Sequence, residues 1–175
     1  LARYMEKFGI TERTDLGLPG ESAGLMLQPE RWYGTTFQTM AFGQGYSVTA
    51  VQMTDVFATI ANGGVRVKPS IIDATIDAEG IVTKTPDAEG DRVVRPETAR
   101  QVMAMMEAVT AEGGTAPQAR IPGYRVAGKT GTAQFVDLDC RCYAGDITAS
   151  FIGVAPADAP RLAVGVFVHQ PQRGR

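Results

Sequence analysis

One stretch combines residue types that can handle a substrate: Val126-Ala127-Gly128-Lys129-Thr130-Gly131-Thr132-Ala133. Glycine weakens a strand interior, so Gly128 and Gly131 point to a bulge or to a close backbone approach by a ligand. Between them sits one of only four lysines in the chain. Period-two alternation places Thr130 and Thr132 on one face and Lys129 on the other, unless a glycine bulge re-aims it. Two neighbouring hydroxyls, an ammonium and open backbone suit an extended peptide added at a sheet edge, with its terminal carboxylate held by the hydroxyls. Taken alone, these residues equally fit a plain strand with an isolated lysine and turn glycines.

Other chemistries find less support. The four serines are Ser22, Ser47, Ser70 and Ser150. None is followed by Lys at the third position or by Asn at the second. His169 is the only histidine and ends an apolar strand, which favours a core or strand-end role over a base in a Ser/His/Asp triad. Cys140 and Cys142 flank one residue. A zinc site takes about four ligands, so no metal is expected. The two cysteines are read as polar loop residues, with free thiols, a strained bridge or partners for another chain as the alternatives.

The elements that must position the lysine strand follow from periodicity and punctuation. Residues 4–8 read as a helix end closed by Gly9, residues 14–24 as loop, and residues 32–44 fit no single type. Thr49-Ala50-Val51-Gln52 forms a capping box. Met53, Val56, Phe57 and Ile60 follow at helical spacing, and Gly63-Gly64 stops a helix of about four turns. Residues 71–76 and 81–85 flank Asp77-Ala78-Glu79-Gly80 as a hairpin, and residues 86–91 read as polar loop. Pro96-Glu97 opens a second helix with an apolar face of Val102, Met103, Met105, Met106 and Val109, ended by Gly113-Gly114. Its methionines read as core packing. Three strands, 124–135, 148–154 and 162–169, then follow with hairpin-length links, 137–145 and 155–161. Residues 135–147 hold both cysteines with Asp137, Asp139 and Asp146, and read as a loop beside the lysine strand. The order predicts an α/β (α+β) fold, an antiparallel sheet flanked by helices.

Composition narrows the function class. The 175 residues are 44% hydrophobic and 21% charged, which suits one soluble domain. The net charge is −2 with scattered basic residues, so a nucleic-acid partner is not expected. No apolar run approaches the roughly 20 residues that span a bilayer. The first residues carry neither an initiator Met nor a signal peptide. The expectation is a piece of a longer protein, with any export signal or anchor upstream.

Lys-Thr-Gly is one of the short signatures of penicillin-binding proteins and class A β-lactamases. The wider run Arg120-Ile121-Pro122-Gly123-Tyr124-Arg125-Val126-Ala127-Gly128-Lys129-Thr130-Gly131-Thr132-Ala133-Gln134 resembles the class B penicillin-binding proteins of cell division. So does Ala41-Phe42-Gly43-Gln44-Gly45-Tyr46-Ser47-Val48-Thr49-Ala50-Val51-Gln52-Met53. Ala58-Thr59-Ile60-Ala61-Asn62-Gly63-Gly64, Glu112-Gly113-Gly114-Thr115 and Ser150-Phe151-Ile152-Gly153-Val154-Ala155-Pro156 match as well, in family order.

The resemblance implies that residues 1–175 are the C-terminal portion of one transpeptidase domain with a penicillin-binding, serine β-lactamase-like fold, incomplete here. In that family a Ser-x-x-Lys serine attacks the D-Ala-D-Ala end of a peptidoglycan stem peptide, and a second stem's amine resolves the acyl-enzyme into a cross-link. β-Lactams acylate the same serine. Carried onto this sequence, Lys129 positions the substrate carboxylate and joins the proton network. Thr130, Gly131 and Thr132 line the binding strand, and the Thr132 N–H is one oxyanion donor. Cofactors are not implied. Implied partners are the stem peptide, β-lactams, and a division glycosyltransferase with other divisome proteins. The implied location is the outer face of the bacterial cell membrane, anchored by an upstream segment. The Ser-x-x-Lys and Ser-x-Asn signatures are absent from these residues and expected upstream. The alternatives are a non-catalytic module that binds peptidoglycan peptides or a division partner and, less favoured, a serine β-lactamase.

Overall fold

The computed structural model describes residues 1–137, 140 and 142–172, with side chains described at all of these except 135–137 and 142–146. Its elements in chain order are α1 (Ala2–Lys7), β1 (Leu25–Met26), α2 (Thr36–Ala41), β2 (Tyr46–Ser47), α3 (Ala50–Ala61), β3 (Val65–Val67), β4 (Ala74–Ile76), β5 (Val82–Lys84), β6 (Gly90–Arg92), α4 (Pro96–Thr110), β7 (Ala127–Asp137), β8 (Cys142–Ala155) and β9 (Leu162–His169). The last three strands form an antiparallel sheet in the order β7-β8-β9. Helix α4 packs against β7, and α3 packs against β8 and β9. The antiparallel sheet flanked by helices expected from the sequence is therefore present.

Both long helices begin as their sequences dictate. Thr49 caps α3: its Oγ1 accepts the Gln52 N–H at 3.1 Å while Gln52 Oε1 accepts the Thr49 N–H at 2.8 Å. Pro96 and Glu97 open α4, where a missing N–H costs nothing and an acid meets the positive helix end. The buried positions of α4 are Ala99, Met103, Met106 and Thr110, a 4-3-4 spacing. Met103 and Met106 meet Ile60 of α3 and Ala127, Val154 and Ala157 in one core cluster. Met105, expected on that face, is 69% exposed. It lies about 200° around the helix from Met103, at 100° per residue, and so points away from the sheet.

Several boundaries differ from expectation. The first hairpin strand begins at Ala74 rather than at 71. Residues 86–91 are not wholly loop, because Gly90–Arg92 pairs antiparallel with Val65–Val67. A three-residue strand carrying Gly, Asp and Arg has no alternation to reveal it. Helix α4 ends at Thr110 rather than at Gly113-Gly114. Strand β7 starts at Ala127 rather than at 124, because residues 121–124 close a turn with Gly123 at φ +83°. The stretch 135–147 is not a simple loop: the ladder runs on to Val136↔Tyr143 and Asp137↔Cys142 past a register shift at Gln134/Val136. Pairing beyond a bulge is imposed by the neighbouring strand rather than by the segment's own pattern.

A second cluster of Met5, Ile10, Met26 and Met40 gathers α1, β1 and α2. Val56 of α3 packs against it, and the Gln52 side chain, 1% exposed, ties the adjoining loops to the same helix. Besides closing the capping box, Gln52 Nε2 donates to the carbonyls of Glu12 at 2.7 Å and Ala23 at 2.9 Å, with the Gly9 carbonyl at 3.4 Å. Nearby, Arg66 bridges Asp55 at 3.2 Å and Glu12 at 3.3 Å. Burial pushes the Asp55 carboxyl above its usual range, and the Arg66 guanidinium partly offsets this.

The far face of the sheet is less covered. Leu162, Val164, Val166 and Val168 stand exposed in a row along β9. Among the described residues no helix is long and apolar enough to cross a membrane.

Gln52 yields a test of this architecture. Gln52→Met keeps the length and the helix propensity but leaves buried carbonyls without donors, each worth about 1–3 kcal/mol. The expected loss is about 3 kcal/mol or more in urea unfolding. A loss under about 1 kcal/mol would remove Gln52 from its role as the tie between loop and helix.

Candidate active site

Lys129, Thr130, Gly131 and Thr132 lie in β7, whose only strand partner among the described residues is β8. The pairing is unbroken from Ala127↔Val154 to Gln134↔Ile147, so no bulge re-aims Lys129. Paired residues of an antiparallel ladder share a face. Lys129 therefore leaves the strand on the side of Ile152, where Ala127 and Val154 are fully buried against the helices. Thr130 and Thr132, opposite Phe151 and Ala149, leave on the other side.

The glycines earn their place by close approach. A Cβ on Gly128 would stand 2.5 Å from the Phe151 ring and 2.7 Å from the Ile152 carbonyl oxygen. A Cβ on Gly131 would meet the Ser150 hydroxyl at 2.5 Å. Neither a bulge nor a ligand accounts for these glycines: the close approach is made by groups of β8.

Alternation alone would separate Lys129 from the threonine hydroxyls, yet the structure brings its ammonium back toward one of them, that of Thr130. The Lys129 side chain turns back at the strand edge, and its Nζ donates to the Thr130 carbonyl at 2.9 Å and lies 3.5 Å from Thr130 Oγ1. Lys129 and Thr132 are exposed, and Thr130 is half-buried. Among the described residues the Thr132 hydroxyl has no hydrogen-bond partner, which leaves it available. The N–H groups of Thr130 and Thr132, two residues apart, point to the same side of the strand. An ammonium, two hydroxyls and aligned N–H donors at an exposed strand suit a carboxylate and a carbonyl oxygen.

The approach to β7 is built from α4. Thr110 Oγ1 donates to the Val126 carbonyl at 2.6 Å in a buried bond. Arg120 Nε donates to the Thr110 carbonyl at 2.8 Å, placing a cation at the negative helix end. The Arg125 guanidinium grips Glu107 through two nitrogens at 2.8–3.1 Å. That pairing raises the affinity of Arg125 for its proton. The loop after α4 delivers Thr115, whose Oγ1 lies 3.3 Å from Thr130 Oγ1. Thr115 closes the Glu112-Gly113-Gly114-Thr115 match, and the sequence alone assigns it no role. The available signal was a hydroxyl directly after a Gly-Gly helix stop and shortly before the lysine strand.

The remaining candidates stay apart from this group. His169 Nδ1 meets Thr148 Oγ1 at 2.8 Å at the end of β9, a strand-end role. Ser22 and Ser70 accept local backbone N–H groups, from Gly24 at 3.0 Å and Ile72 at 3.2 Å. Ser47 lies in β2, and Ser150 faces Gly131. Cys140, read as a loop residue without chemistry, is disulfide-bonded, and the Cys142 side chain lies outside the described residues.

The whole chain, residues 1–175, matches the family described as Penicillin binding protein transpeptidase domain. Penicillin-binding protein PbpB of Mycolicibacterium smegmatis is 46% identical over 176 residues, covering 97% of this chain and 27% of that protein. Peptidoglycan D,D-transpeptidase FtsI of Escherichia coli K12 is 40% identical over 169 residues, covering 97% of this chain and 27% of that protein. The chain thus spans about a quarter of the length of these curated relatives. Penicillin binding protein 3 of Mycobacterium tuberculosis, solved in complex with aztreonam, superposes with a TM-score of 0.93 at 44% identity. That likeness covers 98% of this chain and 40% of the solved one.

The two glycines can be separated experimentally. Gly128→Ala drives a methyl into backbone and ring, an overpacking that costs about 1–3 kcal/mol. At about 2–4 °C per kcal/mol it is expected to lower the melting temperature by about 5 °C. Gly131→Ala meets only a rotatable hydroxyl and is expected to cost less than half as much. Equal shifts in thermal unfolding would refute the close-approach reading of Gly128.

Proposed function

Because the chain belongs to the penicillin-binding protein transpeptidase family, we propose that it supplies the substrate-binding edge of a peptidoglycan D,D-transpeptidase acting in septal wall synthesis. The observation that carries this is the meeting of the Lys129 ammonium and the Thr130 hydroxyl on β7, beside an available Thr132 hydroxyl. The stem peptide lies along β7 as an added strand, and Thr130 and Thr132 hold its terminal carboxylate with Lys129 as counter-charge. Gly131 keeps the backbone between them open.

A serine outside these 175 residues attacks the carbonyl of the penultimate D-Ala. The C–N bond breaks, and the terminal D-Ala leaves carrying the proton taken from the serine. The amine of a second stem then attacks the ester, forms the cross-link and returns a proton to the serine. In both steps the Thr132 N–H and the serine's own N–H stabilise the oxyanion. Losing one such donor in a serine hydrolase costs about 2.7–4 kcal/mol. Lys129, close to the reacting serine, favours negative charge and takes part in moving that proton. β-Lactams enter the same edge through their own carbonyl and acid group.

We also assign residues 1–175 to the C-terminal portion of one transpeptidase domain, with the nucleophile upstream. The uncovered apolar row of β9 supports further chain packing on the sheet. The reading places the protein on the outer side of the cell membrane, where peptidoglycan is assembled, beside a division glycosyltransferase and other divisome proteins.

A fluorescent penicillin tests both halves of the proposal. The full-length protein is expected to be labelled covalently, and the 175-residue chain alone is not. Labelling of the short chain would place the nucleophile within it. A full-length protein that never labels would point instead to a non-catalytic binding module. Lys129→Ala in the full-length protein is expected to slow acylation by about 100-fold, the scale of a lost electrostatic clamp. An unchanged rate would remove Lys129 from the mechanism.

A further inference from the structure

We infer that Thr115 is a positioning residue for the carboxylate-binding hydroxyl of Thr130, a role that rests on the function proposed above. The inference starts from the 3.3 Å separation of Thr115 Oγ1 and Thr130 Oγ1. A threonine hydroxyl has one proton to donate and two lone pairs to accept with. The Lys129 ammonium, 3.5 Å from Thr130 Oγ1, can only donate. A bound carboxylate can only accept. With the carboxylate in place, the single Thr130 proton must point to it, and both lone pairs are left for donors. Lys129 supplies one donor and Thr115 supplies the other. Thr115 thus fixes the rotor of Thr130 in its donating sense, and a donor behind a hydroxyl strengthens the bond it gives.

The backbone around Thr115 is fixed without its side chain. The Gly114 N–H donates to the Ala111 carbonyl at 3.0 Å, and the Ala116 N–H donates to the Val109 carbonyl at 2.9 Å. A Cβ on Gly114 would collide with the Ala108 and Val109 carbonyls, so the loop hugs the end of α4 as only glycine allows. Ala116 is buried on the other side. Thr115 is held between two anchored neighbours, and replacing its hydroxyl leaves those anchors intact.

The test is the second-order acylation rate of the full-length protein by a penicillin with a free carboxylate and by the methyl ester of the same penicillin. Thr115→Val is expected to slow the free acid about tenfold, the size of one lost hydrogen bond to a charged-group network. It should leave the ester rate and the melting temperature unchanged. Thr115→Ser should restore the free-acid rate to within about twofold, since the hydroxyl returns. Thr130→Val should lose at least as much as Thr115→Val, and adding Thr115→Val to it should lose nothing more. A slow Thr130→Val with a wild-type Thr115→Val would overturn this inference and leave the carboxylate site standing. A wild-type Thr130→Val would instead overturn the carboxylate site itself. Equal slowing of acid and ester by Thr115→Val would make the residue structural and also refute the inference.

Discussion

A one-residue slip between β7 and β8 would put Lys129 opposite Phe151 and turn both threonine hydroxyls toward the helices. The candidate site therefore depends on the register of this one ladder. Two kinds of contact hold it. On the helix side, Ala127 and Val154 are paired and have no exposed surface, so a larger or shifted neighbour finds no room. On the other side, the Phe151 ring occupies the space that a side chain at 128 would need. The buried bond from Thr110 to the Val126 carbonyl then fixes where the strand begins. A register defined from both faces and from one end gives Lys129 and Thr130 a single geometry.

The N-terminal third serves the same sheet indirectly. Helix α3 lies against β8 and β9, and its own position is tied by Gln52 to loop carbonyls at 9, 12 and 23. A buried amide that satisfies several carbonyls is worth far more than its surface area suggests, because each carbonyl abandoned in the interior keeps its desolvation cost. Gly24 belongs to the same arrangement: a Cβ there would stand 2.6 Å from the Ser47 carbonyl and 3.2 Å from Gln52 Oε1. The loop at residue 24 closes over the amide because its residue lacks a side chain.

Sequence reasoning reached the parts of the fold that are set locally. The Thr49 capping box, the Pro96 start and the strand at residues 162–169 are written in neighbouring residues, and each appears where expected. It failed where pairing is imposed from a distance. Gly90–Arg92 is a strand only because Val65–Val67 is beside it. Val136 and Asp137 continue a ladder only because the backbone of Tyr143 and Cys142 lies opposite. Met105 matched the apolar composition of its helix face but not its angle. Within the candidate site, alternation correctly divided Lys129 from Thr130 and Thr132. It missed the return of the Lys129 ammonium to Thr130, because a four-carbon side chain at a strand edge can turn back around the backbone. Thr115 was out of reach for a related reason: its partner is 15 residues away, and only the tight loop after α4 closes that gap.

The exposed position of β7 has a further implication. A strand with unpaired backbone along one edge is a template on which any extended chain can add, including another copy of the same protein. Natural sheets discourage that with charge at the edge, most often lysine. Lys129 is such a charge, exposed and anchored at 2.9 Å to a carbonyl of its own strand. An incoming strand must displace the ammonium or compensate it, and a peptide ending in a carboxylate does so where an ordinary backbone cannot. The same residue that is proposed to receive the substrate is thus also the kind of edge charge that discourages strand-to-strand association.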